Sequence, residues 1–507
     1  MYFKGNLLIG KNKDSEACII PKMANRHGII TGASGTGKTT TVKVLAESFS
    51  DLGVPVFVAD VKGDLSGCAH IGEENESVLN RIKDLKLEEF DYKSYPVCFW
   101  DLYQRYGHGI RVSIYDIGAS IMSIILGLSE TQEGVLNIVY RIAHDKEMMI
   151  YDIKDLRALL AYVGEHRAEF TLEYGNITSQ SIGVIQRSLL TLEDQGADKF
   201  FGLPSFDIHD FLKKNTEDRG YINILHAVEL FNSPDLYVSF LLYLLTKLYK
   251  DMPEVGDLDK PKIVFFFDEA HLLFNNMPEY RLKQIIQVVK LIRSKGIGLY
   301  FISQSPSDIP NEVLSQLSNR IQHALRAYTP SEQKAVKVAA DAFRTNPKFK
   351  TDEAILNLGT GEALISFLNE KGEPEIVEKV YILPPQSKMG VLDDMERNRI
   401  INNSEFVGKY EEVIEKDDAA HKVLYKIQEV EKEERKRIEE EKEAEKIKKE
   451  EEKRKKEEER EAAKKKREEE KEMKSSIGYK LGKKVVNKSV DKVLNKGLNK
   501  IFKGLFK

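Results

Sequence analysis

The sequence predicts an α/β protein built on a largely parallel sheet, and three observations lead to this fold class. Short β-rich runs alternate with helix-period segments over residues 1 to about 115, which is the pattern of βαβ units. The next stretch is mainly helical and indicates a helical insertion at about 119–255. Strand-like runs then return, so we expect the same sheet to resume after the insertion.

The predicted elements follow from apolar runs and from the residues that bound them. RHGIITG and VPVFVAD end in Gly or Asp and enclose TTVKVLAESFSDL, which has helical spacing. The strands predicted after the insertion are KIVFFFDE, GIGLYFISQ, NRIQHALRA and EALISFL. We therefore expect the first strands and the later ones to share one sheet.

The chain changes character towards its C-terminus. The sequence loses its globular composition around Pro384-Pro385. We therefore assign residues 1–390 to the folded domain and 391–425 to an accessory helical region. Residues 426–474 hold 20 Lys or Arg and 20 Asp or Glu, without the apolar a/d seam of a coiled coil. Glu and Lys blocks three to four residues apart favour a single solvated helix, and a disordered spacer is the alternative.

The last segment, residues 475–507, is predicted to be a basic amphipathic tail. It carries nine Lys and one Asp, a net charge of +8, whereas residues 1–474 sum to −12. Apolar residues recur at three- and four-residue steps between Val486 and Leu505. Three interpretations stay open: residues 476–507 bind an anionic membrane surface, bind nucleic acid or an acidic partner, or pack on this protein itself.

The composition argues against several classes of protein. With 507 residues, 41% of them hydrophobic, the chain can bury a sizeable core. Cys18, Cys68 and Cys98 are odd in number and lack CxxC spacing, so we expect neither a disulfide framework nor a structural zinc site. No secretion signal and no apolar run of about 18–20 residues is present. We expect a cytoplasmic protein, with peripheral attachment to a membrane through the tail as an open alternative.

A glycine-rich loop carries the strongest chemical signal. The segment from Gly32 to Thr39 matches GxxxxGK[ST], after a β-rich run and before a helix, as this motif requires. Its backbone amides suit phosphates, Lys38 can reach the β- and γ-phosphates, and Thr39 can ligate Mg²⁺. The predicted ATP-binding residues are Gly32, Ala33, Ser34, Gly35, Thr36, Gly37, Lys38, Thr39 and Thr40.

Two acids complete the predicted catalytic site. An apolar strand from Ile263 to Phe267 delivers Asp268 and Glu269 to its C-terminal edge, where ligands bind in open α/β sheets. Asp268 suits Mg²⁺, directly or through water, and Glu269 can polarise an attacking water. The pair favours a hydrolase over a passive nucleotide binder.

Other polar residues at strand ends are weaker candidates. Gln304 ends the strand that follows the acids and can contact both a water and a γ-phosphate oxygen. Asp60 and Asp64 follow the strand beside the loop, where they position water, Mg²⁺ or an arginine of a neighbouring subunit or, more simply, cap a turn. We interpret His271 as a residue at the start of a helix.

Together these residues resemble the HerA/FtsK branch of P-loop ATPases, and most closely its YjgR-like group. Stretches such as VPVFVADVKGDLSG, VFFFDEAHLLF and IRSKGIGLYFISQ carry the resemblance in matching order through residues 25–370, with a continuation to about 425. The resemblance implies a RecA-like core. The charged spacer and the tail lie outside the family pattern as we interpret it.

The resemblance also implies a ring, commonly a hexamer, in which ATP lies between subunits and an arginine from the neighbour acts on it. Arg320 is the position that matches this arginine, Arg326 is the second choice, and Arg293 is a weaker candidate for a nucleotide-facing role. The full HerA helicases begin with a small β-barrel. Here only 31 residues precede the loop, which leaves room for a hairpin.

Two functions follow as expectations. The first is a Mg²⁺-dependent ATPase that forms a ring and moves double-stranded DNA, as the resemblance implies. The net charge of −12 through residue 474 gives this no general support, although a basic pore lining would not show in the sum. The second is an ATP-controlled assembly or scaffold protein that residues 476–507 tether to a membrane or an acidic partner.

Overall fold

The computed structural model describes residues 1–274, 279–414 and 419–475. Its strands are β1 (Tyr2–Phe3), β2 (Asn6–Lys11), β3 (Glu16–Ile19), β4 (Gly28–Thr31), β5 (Val56–Asp60), β6 (Val97–Asp101), β7 (His108–Gly109), β8 (Ile222–His226), β9 (Ile263–Phe267), β10 (Ile297–Ser303), β11 (Asn319–Gln322), β12 (Glu362–Ser366) and β13 (Glu378–Ile382). Its α-helices are α1 (Lys38–Asp51), α2 (Glu76–Leu85), α3 (Ile114–Ile117), α4 (Ala119–Ile125), α5 (Glu130–Asp145), α6 (Ile153–Glu165), α7 (Arg167–Tyr174), α8 (Ser179–Asp194), α9 (Pro234–Asp251), α10 (Glu279–Leu291), α11 (Asn311–Leu314), α12 (Pro330–Asp341), α13 (Thr351–Leu356), α14 (Asp394–Asn402) and α15 (Ala419–Ser475).

All the strands belong to one sheet of order β1-β2-β13-β12-β11-β4-β10-β9-β5-β8-β6-β7, with β3 beside β2. The strands from β11 to β7 along this order are parallel. The strands β12, β13 and β2 extend the sheet in antiparallel fashion, and β2 pairs with β3 in the hairpin expected before the glycine-rich loop. The predicted fold class, an α/β core with a largely parallel sheet, is confirmed.

The central strands are buried on both faces, which explains their unbroken apolar sequences. Every residue of β4, β5, β9 and β10 is buried, as expected of a parallel sheet covered by helices. The helix α1 covers one face, where the ring of Phe49 makes an edge contact with Tyr300 at 6.0 Å between centroids. The C-terminal part of α1 therefore packs on β10, the strand that pairs with β4.

The helical insertion predicted at 119–255 is interrupted by a strand of the central sheet. The strand β8 pairs in parallel with both β5 and β6. The continuous helical part therefore runs only from α3 to α8, where α5, α6 and α8 pack against one another. The segment INILH is a short apolar run within helical surroundings, so its period gives no clear signal.

The region predicted at 391–425 to be accessory and helical contains α14 and packs on the core. A single compact unit spans Met1–Val423. Within it, Phe406 and Tyr410 pack on Trp100 with ring centroids 5.1 and 5.8 Å away. The guanidinium of Arg111 donates to the Tyr410 carbonyl oxygen at 2.6 Å. The C-terminal end of this unit is therefore held by aromatic packing and by hydrogen bonds.

A second unit spans Leu424–Lys507, and its described part is helical. The helix α15 contains 57 residues, about 85 Å at the usual rise per residue. Its i,i+4 ion pairs include Lys449–Glu445 at 2.9 Å and Arg454–Glu458 at 3.6 Å. Residues 426–474 thus adopt the helical alternative, and residues 476–507 lie outside the described residues. No helix in the described ranges has both the length and the apolarity that a membrane-spanning segment needs.

Candidate nucleotide-binding site

The glycine-rich loop joins the carboxyl end of β4 to the start of α1. Gly37 precedes the helix with a φ of 113°. Gly32 has a φ of 153°, and a Cβ atom added there would lie 2.5 Å from the Cβ of His323. Only glycine fits at position 32, because the backbone passes directly over the histidine. The loop has the strand-loop-helix context that the motif requires.

Lys38 is the first residue of α1, and its ammonium group folds back over the loop. It donates to the carbonyl oxygen of Gly32 at 2.5 Å and to that of Ala33 at 3.1 Å. Burial lowers the pKa of Lys38, and the charge of Lys62 lowers it further, whereas Asp268 and Glu269 oppose the shift. The lysine therefore lies in a partly desolvated site, where an anionic group would stabilise its charged ammonium form.

The two predicted acids follow β9, the second strand from β4 in the sheet. Asp268 Oδ1 accepts a hydrogen bond from the backbone N–H of Glu269 at 2.9 Å. Glu269 has a φ of 48°, in the left-handed region that glycine favours, so the chain turns sharply at this residue. Burial raises the pKa of Asp268 to about 6, and the neighbouring charge of Glu269 adds to the rise.

A cavity of about 50 Å³ brings the loop and the acids together. The residues that line it are Ser34, Lys38, Thr39, Val42, Val58, Ala59, Asp60, Lys62, Asp64, Leu65, Asp268, Glu269 and Ile302. Lys38 and Thr39 come from the loop side, and Asp268 and Glu269 come from the end of β9. The structure therefore brings three of the predicted loop residues, Ser34, Lys38 and Thr39, to the same cavity as the two predicted acids.

Asp60, at the end of β5, caps a turn. Its carboxylate accepts hydrogen bonds from the backbone N–H groups of Gly63 at 2.7 Å and of Leu65 at 2.9 Å. Burial raises the pKa of Asp60 to about 6, while the Leu65 bond opposes this shift and the charge of Asp64 adds to it. Asp64 differs, because its Oδ1 is buried without a hydrogen-bond partner. The turn-capping interpretation describes Asp60, and Asp64 keeps a free acceptor beside Lys38.

A second, open pocket of about 460 Å³ adjoins the loop, and Ala33, Gln304 and Arg326 contribute to its lining. Gln304 directly follows β10, which pairs with β4, and its side chain is exposed. His271 also lines this pocket and lies in the first turn of a 3₁₀ helix, as expected. Its Nδ1 is 3.3 Å from Glu269 Oε2, an ion-pair distance without hydrogen-bond geometry.

The three candidate arginines occupy different positions. Arg320 is the second residue of β11, and its guanidinium donates to the Leu314 carbonyl oxygen at 3.0 Å. Burial lowers the pKa of Arg320. Arg326 is exposed at the open pocket beside the loop. Arg293 precedes the amino end of β10 and pairs with Asp257 at 3.3 Å, so it does not lie at the nucleotide-facing edge.

A magnesium ion fits this site only if phosphate oxygens complete its coordination. Among the described residues, no group of three or more His, Cys, Asp and Glu side chains could hold a metal ion by itself. Magnesium is commonly bound through one or two carboxylates and the phosphates of a substrate. The hydroxyl of Thr39 and the carboxylate of Asp268, both in the small cavity, match this requirement.

Three residues at the site escaped the sequence analysis. Lys62 lines the small cavity, and its position just after a strand beside the loop could have pointed to it. Tyr237 donates its hydroxyl to the Asp268 carbonyl oxygen at 2.8 Å. His323 is buried directly beneath the loop. Tyr237 and His323 reach the site through contacts between distant segments, and no local motif marks either of them.

The sheet order, the glycine-rich loop and the acids after β9 define a RecA-like P-loop ATPase fold. The chain belongs to the HerA-like helicase family, since the model of the family's C-terminal domain, "Helicase HerA-like C-terminal", matches residues 6–506. This match includes the charged helix and the tail. The expectation that both lie outside the family pattern is therefore wrong.

Curated relatives agree with this assignment. The chain is 24% identical over 420 residues to "DNA double-strand break repair helicase HerA" of Saccharolobus solfataricus, covering 82% of this chain and 73% of the relative. It is 26% identical over 351 residues to "Probable helicase MJ1565" of Methanocaldococcus jannaschii. That alignment covers 68% of this chain but only 60% of the relative's length.

Solved structures agree on the fold. The plasmid coupling protein TrwB in complex with a non-hydrolysable ATP analogue superposes with a TM-score of 0.50 at 12% identity, covering 77% of this chain and 95% of that one. The same protein with a non-hydrolysable GTP analogue gives a TM-score of 0.50, also at 12% identity, over 76% of this chain and 92% of that one. At this identity the likeness concerns the fold alone.

Proposed function

We propose that this protein is a Mg²⁺-dependent ATP hydrolase that forms a ring, as a hexamer, and acts as a motor on double-stranded DNA. The observation that carries the ATPase part is the small cavity in which Lys38 and Thr39 face Asp268 and Glu269. A phosphate-binding lysine and two carboxylates in one partly desolvated site are the groups that phosphoryl transfer to water requires.

Each residue has one part in this proposal. The loop amides and Lys38 bind the phosphates, and Lys38 exchanges its bonds to the loop carbonyls for bonds to phosphate oxygens. Thr39 and Asp268 hold Mg²⁺, which supplies positive charge next to the phosphates when bound. Glu269 orients the attacking water, and its buried Oε2 has no hydrogen-bond partner that would compete. Gln304 senses the γ-phosphate from the end of β10.

An arginine from the neighbouring subunit completes the site in the ring. Arg320 is the first candidate and Arg326 the second. Arg326 is exposed beside Gln304, whereas the guanidinium of Arg320 already bonds the backbone of its own chain. Arginines of this kind raise phosphoryl-transfer rates by about 10³–10⁵ where they have been removed and compared. Separate Arg320→Ala and Arg326→Ala variants, each mixed with Lys38→Ala subunits, identify which arginine acts on the neighbour's ATP.

The DNA part of the proposal rests on the family and on the relatives that are named as helicases. The net charge of the chain gives the DNA part no general support. The net charge of −12 through residue 474 excludes a generally basic surface, so basic side chains would have to line a pore. A ring that encloses DNA predicts binding that weakens as salt is raised.

The test is the ATPase rate of the full-length protein over a series of protein concentrations, with and without double-stranded DNA. Lys38→Ala is the blank, and Glu269→Gln is the variant that binds ATP without hydrolysing it. A rate that rises faster than the protein concentration, and that DNA stimulates several-fold, supports the whole proposal. Hydrolysis no faster than that of Lys38→Ala overturns it. Hydrolysis that is indifferent to DNA keeps the ATPase and favours the tethered scaffold protein instead.

A further inference from the structure

The imidazole of His323 is fully buried directly beneath the phosphate-binding loop. We propose that His323 is a positioning residue that holds this loop in the conformation that binds nucleotide. The proposal rests on the function proposed above and deepens it, because it assigns the support of the loop to a side chain outside the motif.

Both ring nitrogens of His323 are hydrogen-bonded. Nδ1 lies 3.0 Å from the backbone carbonyl oxygen of Glu362, and Nε2 lies 2.9 Å from the hydroxyl of Thr41. A carbonyl can only accept, so Nδ1 carries the proton and Nε2 accepts from the Thr41 hydroxyl. The ring therefore links the first residue of β12 to the first turn of α1.

Thr41 carries this link into the loop itself. Its hydroxyl is also 3.1 Å from the carbonyl oxygen of Gly37, the residue just before Lys38. The hydroxyl has a single proton, which is therefore shared between the His323 Nε2 and the Gly37 carbonyl oxygen. A shift of the ring would therefore displace Gly37, the residue that precedes Lys38.

His323 also lies close to both ends of the loop, through its Cβ at one end and its ring at the other. A Cβ atom at Gly32 would lie 2.5 Å from the His323 Cβ, and one at Gly37 would lie 3.6 Å from its Cε1. The first and the last glycine of the motif therefore rest on the same side chain. Because the two glycines have no side chains, the loop backbone can lie directly against the histidine.

Backbone hydrogen bonds on either side of His323 reinforce the contact. The N–H of Ala33 donates to the Ala324 carbonyl oxygen at 2.8 Å, and the N–H of Gly361 donates to the Thr36 carbonyl oxygen at 3.1 Å. The loop is therefore tied to the end of β11 and to the start of β12. The residues at the start of the antiparallel strand β12 therefore help to hold the loop in place.

The electrostatics favour a neutral ring in this position. Burial lowers the pKa of His323 to about 4. The backbone of Glu362 and that of Thr36 oppose this shift in pKa, and the charge of Lys38 adds to it. A neutral imidazole keeps Nε2 as an acceptor for the Thr41 hydroxyl and adds no charge beneath the lysine.

His27 provides a matched control within the same chain. It is also buried, with its Nε2 2.9 Å from the Val289 carbonyl oxygen and its Nδ1 accepting from the Leu299 N–H at 3.1 Å. Burial lowers its pKa to about 4 as well. It precedes the amino end of β4, at the sheet edge opposite the loop. Substituting it tests the cost of losing a buried, fully bonded histidine away from the nucleotide.

The experiment compares the affinity of full-length variants for a fluorescent ATP analogue with Mg²⁺. All variants carry Glu269→Gln, so the result does not depend on turnover. His323→Asn keeps the donor to Glu362 and loses the contact with Thr41. Thr41→Val removes the same contact from the other side, together with the bond from Thr41 to Gly37, while preserving shape. The control is His27→Gln, and the unfolding temperature is measured for each variant.

We expect His323→Asn to bind the analogue about ten-fold more weakly, which corresponds to one hydrogen bond at the upper end of the usual range. Thr41→Val should weaken binding at least as much, because it also removes the bond to the Gly37 carbonyl oxygen. The double variant should be no weaker than Thr41→Val, because that substitution already removes the bond that His323→Asn removes. His27→Gln should bind within two-fold of its parent even where its unfolding temperature falls equally.

The proposal is overturned if His323→Asn and Thr41→Val both bind within two-fold of their parent, or if His27→Gln weakens binding as much as they do. The Thr41→Val variant decides the question if His323→Asn does not fold. A failure of the ATPase proposal looks different. There the protein with wild-type Glu269 hydrolyses no ATP, and Lys38→Ala leaves binding of the analogue unchanged.

Discussion

The hydroxyl of Tyr237 donates to the backbone carbonyl oxygen of Asp268 at 2.8 Å. Tyr237 lies in the first turn of α9 and is fully buried. The bond fixes the peptide between the two acids, immediately before the left-handed turn at Glu269. The helix α9 thus supports the turn that positions both carboxylates. A residue held in this region of φ needs support from its surroundings.

Tyr237→Phe should lower the ATPase turnover while leaving the affinity for ATP nearly unchanged. The substitution frees the turn that carries Asp268 and Glu269 but touches no residue of the phosphate-binding loop. The free energy of unfolding should fall by about 1 kcal/mol, the usual net contribution of one hydrogen bond. Steady-state kcat and KM, together with urea denaturation, measure both effects.

Tyr243→Phe is the matched control, since Tyr243 is also a buried tyrosine of α9. Its ring packs near Phe200, at 6.3 Å between centroids, away from the acids. An equal loss of kcat in the two variants would show that α9 acts through its general packing and not through the bond to Asp268.

Asp268→Asn should make the nucleotide-free protein more stable above pH 6, by about 3 kcal/mol. Burial raises the pKa of Asp268 from 3.8 to about 6. The folded state therefore holds its proton at higher pH than the unfolded state does. Stability decreases as the pH rises from about 4 to 6 and stays lower above pH 6. Asparagine removes the buried charge and keeps the oxygen that accepts from the Glu269 N–H.

The measurement is the unfolding free energy of both proteins between pH 4 and pH 8. The advantage of the variant should vanish towards pH 4. Asp60→Asn is the contrasting control: its pKa is also raised to about 6, but its carboxylate accepts from the backbone amides of the turn. An amide nitrogen there would face an N–H group, so this variant should be less stable. Equal behaviour of the two variants contradicts the argument.

The local parts of the site were predictable from the sequence because each is encoded in one short segment. The spacing from Gly32 to Thr39 defines the phosphate loop by itself. Asp268 and Glu269 end an apolar run, which indicates a strand. The structure places Ser34, Lys38 and Thr39 of the loop around the same cavity as the two acids. Motifs at the ends of parallel strands converge because the strands share one edge of the sheet.

The rest was not predictable because it depends on contacts between distant segments. Thr41 and His323, which share a hydrogen bond, are 282 positions apart in the sequence. The segment of β8 is a short apolar run between helices, and only its pairing with β5 and β6 identifies it as a strand. The packing of Phe406 on Trp100 likewise joins segments that share no pattern.

Phe406→Ala should lower the free energy of unfolding by about 3–4 kcal/mol, as is typical when a buried aromatic ring is removed from a core. Phe406 is 1% exposed and packs on Trp100, the only tryptophan of the chain. The tryptophan fluorescence should therefore shift to longer wavelength, because the cavity admits water beside the indole. Denaturant unfolding followed by this emission measures both effects.

Val407→Ala is the control for Phe406→Ala, since Val407 is the next residue but is 53% exposed. Its effect on stability should stay below about 0.5 kcal/mol. If Phe406→Ala were as mild as Val407→Ala, the segment that contains Phe406 would not be part of the folded unit in solution.

A peptide of residues 426–474 should be helical in isolation, and its helicity should fall as salt is raised. The helix that contains it has ion pairs at i,i+4 spacing, such as Arg437–Glu441 and Lys449–Glu445. Each such pair contributes about 0.2–0.5 kcal/mol to an isolated helix, and salt screens it. Circular dichroism from 10 mM to 1 M NaCl measures the effect. A peptide of the same composition, rearranged so that like charges stand four residues apart, should be much less helical. Equal helicity of the two peptides would mean that intrinsic propensity, and not the charge pattern, makes this helix.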